Sequence, residues 1–303
     1  MTRRFAMATI TTLFALTLGA AAEAQVQIDR RRPAPVKGEV SIDSSFGIIR
    51  VHGWEKREVL VQGTLAAGVE DFSFDSDKEG TSISVDVPEE WLQATKEDPA
   101  FLSTIDVYVP AGSRVGVRTV NAAVIIDAVT GRVDVRSVNG GVQVSGPASA
   151  VEVETMTGAI EVHTLAAPMD IHSISGGVVI EGATGEVRVE TVSGQVHVTG
   201  AGLTSLEVQT TTGTVDFHGA VAPKGSLEIE TFSSPVTLLL PRRTPAVFDL
   251  KTFSGNIKSD FCAGTPVIRK HFEPFRELHC STGPDDFEIQ ITTHDADITL
   301  TAE

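Results

Sequence analysis

Cys262 and Cys280 are the only thiols in this 303-residue chain. Their even number, in a chain that opens on a leader-like segment, points to a disulfide closing the irregular stretch 263–279. Loop entropy gives such a closure about 3 kcal/mol. The competing reading, a metal pair completed by His271 or His279, lacks the Cys-x2–4-Cys spacing that metal sites favour. The histidines are scattered as His52, His163, His172, His197, His218, His271, His279 and His294, with no His-x-His or His-x3-His pair. They read as surface polar residues. Asp134, Glu152 and Asp170 recur every 18 residues, a spacing that could stack carboxylates into a calcium-binding ladder. Arg118, Arg136, Arg188 and Lys251 stand close enough in sequence to balance them, and the Gly-Gly-x-Gly-x-Asp signature of calcium-binding rolls is absent. A solvated, ion-paired face is the expectation. No serine sits in a Gly-x-Ser-x-Gly elbow, and the glycine-rich turns separate strands rather than open helices, so neither nucleophile nor phosphate loop is indicated. We expect no catalytic, cofactor-binding or metal-ligating residues and no cofactor; the only site is the structural pair Cys262 and Cys280.

What must position these residues is a repeat. A Thr or Ser anchor recurs at Thr119, Ser137, Thr155, Ser173, Thr191, Thr210, Thr231 and Thr252, at spacings of 18, 18, 18, 18, 19, 21 and 21. Two and four residues before each anchor the side chains are apolar, as in Val133 and Val135 or Leu206 and Val208. Five and seven after it they are apolar again, as in Val142 and Val144, until Ser259 breaks the series. Charged residues fill the intervening positions, for example Glu152 and Glu154. That is period-2 alternation on both sides of a turn, with a register that a one-residue slip would invert. Glycine stands three after most anchors, at Gly140, Gly158, Gly176, Gly194, Gly213 and Gly255, with Ala122 and Ser234 as exceptions. Val40, Ile42, Ser44, Gly47, Ile49 and Val51 fit the same template, as do Ile289, Ile291, Thr293, Ile298 and Leu300.

An antiparallel meander closing into a sandwich or barrel would also fit two short strands per unit. Retention of residue identity at each position favours stacking of like on like. The fold expected is therefore all-β: a β-solenoid, single-stranded and resembling a parallel β-helix, built of coils of about 18–21 residues with irregular capping segments at both ends. Four inward apolar residues contribute roughly 1.5–3 kcal/mol each, too little to order one coil alone. Coils must stack, and the stack needs caps.

The rest of the chain divides around this array. Residues 1–24 read as a signal peptide: Arg3 and Arg4 precede the uncharged stretch Ala6–Leu18, and Ala22-Glu23-Ala24 offers a cleavage site before Gln25. General secretion fits better than the twin-arginine route, because Ala6 occupies the place of a preferred Phe. Residues 25–37 read as a linker, 38–112 as an N-terminal strand and cap region, 113–261 as the solenoid array, and 262–303 as a disulfide loop with a final repeat. Between Pro88 and Ser103 the alternation lapses, suggesting a loop with a helical turn. No later stretch is apolar and long enough for a transmembrane helix. Net charge is −16, and loss of Arg3, Arg4 and Glu23 leaves the mature chain one unit more acidic. That charge disfavours nucleic acid as a partner. One Tyr and two Trp suit a thin Val- and Ile-filled core better than a carbohydrate platform.

Three stretches carry a resemblance. Val107-Tyr108-Val109-Pro110-Ala111-Gly112-Ser113-Arg114-Val115 leads into the first anchor. Gly47-Ile48-Ile49-Arg50-Val51-His52-Gly53-Trp54 precedes the strand Val59-Leu60-Val61. Leu240-Pro241 is followed by Phe248-Asp249-Leu250-Lys251-Thr252-Phe253-Ser254-Gly255-Asn256-Ile257. Together, over residues 38–303, they resemble the bacterial putative-adhesin β-strand-repeat family, a domain of unknown function. The resemblance implies a solenoid-like fold and an envelope or surface location, and it brings no catalytic residues. The function expected is that of a non-enzymatic exported protein, periplasmic, surface-bound or secreted. It would act as an envelope scaffold, adhesin-like or partner-binding surface toward a protein or envelope glycan. A polysaccharide-acting β-helix enzyme and an envelope-stress sensor component are the alternatives.

Overall fold

A computed structural model describes residues 25–303 except 93–101, 164–167, 266, 270–274 and 284–286. The segment read as a signal peptide lies outside the described residues. Each coil lays one strand on each of two facing parallel sheets. Strands that end in an anchor stack on strands that end in an anchor: Arg132–Ser137 pairs in parallel with Arg114–Thr119 on one side and Ala150–Thr157 on the other, anchor opposite anchor. The strands after the turn stack likewise, as Val142–Ser145 does between Asn121–Asp127 and Ile160–His163. From Val178 to Thr231 the coils follow one another with short corners, as at Gly182, Gly185 and Gly202, where φ is +74° to +76°. Between the sheets lies a narrow core of Val, Ile and Leu, with the four inward residues Val133, Val135, Val142 and Val144 all essentially inaccessible. This is the solenoid the alternation demands.

Each glycine three after an anchor lies against the equivalent residue of the neighbouring coil. At Gly194, where φ is +137°, a Cβ would stand 2.1 Å from the Gly176 carbonyl oxygen. At Gly213 it would stand 1.9 Å from that of Gly194. The turn glycines are thus set by close backbone approach as well as by positive φ.

The order of stacking departs from the order of the chain at both ends. At the N-terminal end, Glu39–Ser44 pairs with both Gly80–Asp86 and Arg114–Thr119, and Phe46–Trp54 with both Thr104–Pro110 and Asn121–Asp127. The first coil is therefore second in the stack. At the other end Glu288–Thr293 lies between Ser226–Thr231 and Val247–Thr252. Its companion Ile298–Ala302 lies between Val236–Leu240 and Ile257–Ser259. The last repeat in sequence is inserted between the seventh and eighth anchors.

Antiparallel strands close the stack. Asp71–Ser76 covers the edge of Gly80–Asp86, and Glu58–Leu65 covers that of Thr104–Pro110. The stretch 25–37, read as a linker, is corrected here: Val26–Pro33 is a strand pairing antiparallel with Glu58–Leu65 over its whole length. Only Ile28 of that strand is buried, so main-chain hydrogen bonding to an open edge forms it, and no alternation betrays it. At the far end Arg276–Ser281 runs antiparallel to Val247–Thr252. A single helical turn, Glu89–Leu92, follows the strand Gly80–Asp86. Its Trp91 meets Phe46 edge-on, centroids 6.4 Å apart, in a small cluster with Ala66.

Candidate binding surface

Six of the eight anchor hydroxyls hydrogen-bond the backbone, while those of Thr155 and Ser173 are buried without a partner among the described residues. All eight anchors of the array are buried. Thr119, Ser137 and Thr252 each accept a hydrogen bond at 3.0 Å from the backbone N–H three residues on, that of Ala122, Gly140 or Gly255. Ser137 and Thr231 donate to the carbonyls of Gly140 and Ser234 at 3.1 and 3.0 Å. They hold the corner closed, as Ser and Thr do in side-chain-supported turns.

The residue after each anchor does the opposite. The alternation carries one residue past the buried anchor before the corner breaks it, so this side chain points away from the core. Met156, Ile174, Val192 and Phe232 are 49–54% exposed. With half-buried Val120, Val138 and Phe253, they place an apolar residue at this position in seven of the eight copies. At about 4.8 Å per coil they form a stripe along one edge of the solenoid. Where the last repeat is inserted, His294 lies flat between Phe232 and Phe253, each pair of centroids 4.6 Å apart and within 8° of parallel. Phe275 meets Phe253 edge-on at 5.5 Å. Beside the stripe runs the row one before the anchors, Glu154, His172, Glu190, Gln209 and Glu230, and the two rows enclose a groove of 640 Å³. A line of large exposed apolar side chains makes this edge the candidate binding surface.

Asp134, Glu152 and Asp170 do stand in register on adjacent strands. Arginines lace them together. Arg136 lies 3.7 Å from Asp134, 3.6 Å from Glu152 and 3.4 Å from Glu154, and Arg132 pairs with Glu152. Arg188 hydrogen-bonds Glu190 and lies 3.6 Å from Glu207; that hydrogen bond, with the charge of Glu207, raises its guanidinium above the ordinary arginine value. Lys251 is 2.9 Å from Asp249 and Arg118 is 3.6 Å from Asp43. Such exposed pairs contribute about 0–1 kcal/mol each; they discharge the face more than they bind it together.

The histidines are brought to carboxylates. His172 bridges Asp170 and Glu190 at 3.0 and 3.2 Å, His163 meets Glu181 at 3.0 Å, and His218 meets Glu303 at 3.0 Å. His52 bonds Asp127 at 2.8 Å and stacks on Tyr108, which in turn lies 5.3 Å from Trp54. Among the described residues no three His, Cys, Asp or Glu side chains converge as a metal site would require. His271 lies outside the described residues. Cys262 and Cys280 are bonded to each other, with Cα atoms 5.9 Å apart, and tie the strand Arg276–Ser281 to the end of the stack.

The Toastrack DUF4097 family model matches residues 39–301. The chain belongs to this family. The match opens on the first strand of the intercalated N-terminal coil and ends in the last strand of the intercalated C-terminal one, so the Toastrack unit is the whole stack, both insertions included. Val26–Pro33 lies before it. No curated protein matches the chain. Among solved structures, a putative adhesin from Bacteroides fragilis is 11% identical, with 92% of this chain and 99% of that one covered and a TM-score of 0.43. A putative lipid binding protein from Parabacteroides distasonis is also 11% identical, covering 91% and 96% with a TM-score of 0.47. A putative cell adhesion protein from Clostridium sporogenes is 9% identical, covering 92% and 100% with a TM-score of 0.26. No helix among the described residues is long and apolar enough to cross a membrane.

The sequence reading of this Toastrack chain missed the stripe, although the signal was present. Aligning the anchors exposes apolar residues one position after them as plainly as it exposes the buried ones. The His294 sandwich had no such signal, because it depends on the out-of-order stacking.

Proposed function

We propose that this chain is an exported, non-enzymatic envelope protein whose solenoid serves as a scaffold and as a binding surface for a protein or envelope-glycan partner, in the periplasm or at the cell surface. The observation that carries this reading is the continuous groove along the anchor edge. Met156, Ile174, Val192 and Phe232 can exclude water from a ligand, and the row Glu154, His172, Glu190 and Glu230 beside them can hold it by charge and hydrogen bonding. In this reading residues 1–24 are removed on export, 38–112 cap the stack, 113–261 form its body, and 262–303 supply the disulfide loop of Cys262 and Cys280 and the final, inserted repeat. A disulfide fits an oxidising compartment.

Fractionation of cells expressing the full chain tests the location: the reading expects mature protein beginning at Gln25, with Cys262 and Cys280 oxidised, outside the cytoplasm. An intact N-terminus and reduced cysteines in the cytoplasm overturn it. A photo-crosslinking residue in place of Ile174 tests the surface, with one at Arg243, off the groove, as control. A discrete envelope adduct at position 174 and none at 243 supports the reading; no adduct, or the same adducts at both, refutes it.

A further inference from the structure

We propose that the groove binds an extended peptide segment of a partner protein in polyproline II form, lying along the solenoid axis with a basic side chain at every third position. This rests on the reading of the groove as a binding surface and goes further by naming what fits it.

The argument is one of spacing. Glu154 pairs across the sheet with His172, and His172 with Glu190. The row continues through Gln209 to Glu230 along the groove wall. Carboxylates therefore fall on alternate coils, about 9.6 Å apart. A β-strand laid along the same axis would present same-face side chains about 6.6–6.8 Å apart and fall out of step at once. A polyproline II segment turns every three residues at about 3.1 Å each, returning a side chain to the same face after about 9.3 Å. From Glu154 to Glu230 the mismatch stays below about 1 Å. Its backbone carries no internal hydrogen bonds and needs no sheet edge, and the groove offers side chains rather than strand edges.

Charge selects the sequence of the guest. Among the described residues Glu230 has no basic side chain within ion-pair distance, while Glu154 meets Arg136, and Glu190 meets Arg188 and His172. Glu228 adds negative charge on the same face, where Glu152, Asp170 and Glu207 are already met by Arg132 and Arg136, by His172 and by Arg188. A cationic guest is attracted and an anionic lipid surface repelled. A second copy of the chain would bring like charges together along the whole groove. The opposite wall supplies the apolar contact, Met156, Ile174, Val192 and Phe232 receiving the residues between the basic ones.

The test uses the full mature chain and a labelled peptide of repeated Lys-Leu-Pro, read by fluorescence anisotropy. Controls are a peptide of the same composition with its lysines gathered at one end and an alternating Lys-Leu peptide. The proposal expects the repeat peptide to bind about tenfold tighter than either control. It also expects the triple substitution Glu154→Gln, Glu190→Gln, Glu230→Gln to weaken it about tenfold, as rim charges do. Met156→Gln, Ile174→Gln, Val192→Gln should weaken it comparably. All six side chains lie at the surface, so the variants should melt as the parent does. Equal binding of the three peptides, or affinity indifferent to the glutamates, overturns the proposal; so does self-association through the stripe that strengthens when the glutamates are neutralised. If Ile174 captures an envelope partner while the three peptides bind alike, the peptide proposal fails and the broader function stands. If neither occurs, both fail.

Discussion

Ile291→Ala is the sharpest test of the out-of-order stack. Ile291 is fully buried and lies in register with Ile229 on one side and Leu250 on the other, both themselves inaccessible. Truncating a buried isoleucine costs about 2–5 kcal/mol, the spread reflecting how far the cavity collapses. The loss falls on whichever coils the residue separates. With the last repeat inserted, the backbone amides of Leu227–Thr231 and of Phe248–Thr252 should lose protection together, because the substituted strand lies between both of these strands. At 1.4 kcal/mol per factor of ten, amide hydrogen exchange there should accelerate between about thirtyfold and a few thousandfold. Amides of Val133–Ser137, five coils or more away along the stack, should not change. If the coils stacked in chain order, Ile229 would touch Leu250 directly and Ile291 would touch only the eighth copy. Exchange that speeds up at 248–252 and 288–293 while 227–231 keeps its full protection therefore refutes the insertion.

The close approach of turn glycines predicts that Gly194→Ala, whose Cβ would meet the Gly176 carbonyl at φ +137°, costs about 2–4 kcal/mol in chemical denaturation. Gly202→Ala, at φ +76° but with open space around its Cβ, should cost only about 1–2 kcal/mol; equal losses would show that sterics between coils do not set the glycine ladder. Replacing Cys262 and Cys280 by Ser removes a link of sequence separation 18 and should loosen the Arg276–Ser281 strand by about 3 kcal/mol in hydrogen exchange; unchanged protection there would mean the strand holds without it. Asp77 accepts hydrogen bonds from the backbone N–H groups of Gly80 and Glu79 at 3.0 and 2.7 Å, which lower its carboxyl below the ordinary value of 3.8. A depressed folded value means the turn gains from Asp77 above the unfolded value and loses that gain as pH falls through the folded one, so an NMR titration of the Asp77 side chain should show a midpoint below 3.8, and a midpoint at or above it contradicts the cap.

What could be read from the sequence was local. The alternation around each anchor fixes which residues face inward, and a coil such as Val133, Val135, Val142 and Val144 follows from it directly. The glycine three after the anchor and the cysteine pair are equally local. Two things were not. Val26–Pro33 carries Asp29, Arg30, Arg31 and Arg32 on a strand with a single buried side chain, so hydrophobic patterning has nothing to report; its formation is an edge effect of Glu58–Leu65. The order of the coils is invisible for a deeper reason. Every repeat presents nearly the same upper and lower surface, so register specifies how a coil docks but not onto which neighbour.

Side-chain volume resolves that degeneracy, and the resolution accounts for where the disulfide sits. Ile289, Ile291, Ile298 and Leu300 are all essentially inaccessible, and four such residues need a neighbour above and below. The eighth copy has only Ile257 and Ser259 on its return strand, three residues long and half-buried. Placing it inside the stack would leave part of both neighbours' core uncovered; placing it at the end forfeits less, since burial contributes roughly 25 cal/mol per Å2 wherever the area is found. At the other end Val40, Ile42, Ile49 and Val51 of the inner coil and Ile83, Val85, Ile105 and Val107 of the outer strands Gly80–Asp86 and Thr104–Pro110 are alike buried, because Asp71–Ser76 and Glu58–Leu65 cover the outer strands. A solenoid stacked in chain order leaves its first and last coils with one neighbour each and a free chain end, the arrangement most open to fraying. Here the first and the last repeat each have two neighbours, and the coils at the ends of the stack are internal segments tied at both sides. The eighth copy is the poorer of those ends, and it is there that Arg276–Ser281 folds back antiparallel and the Cys262–Cys280 bond fastens it.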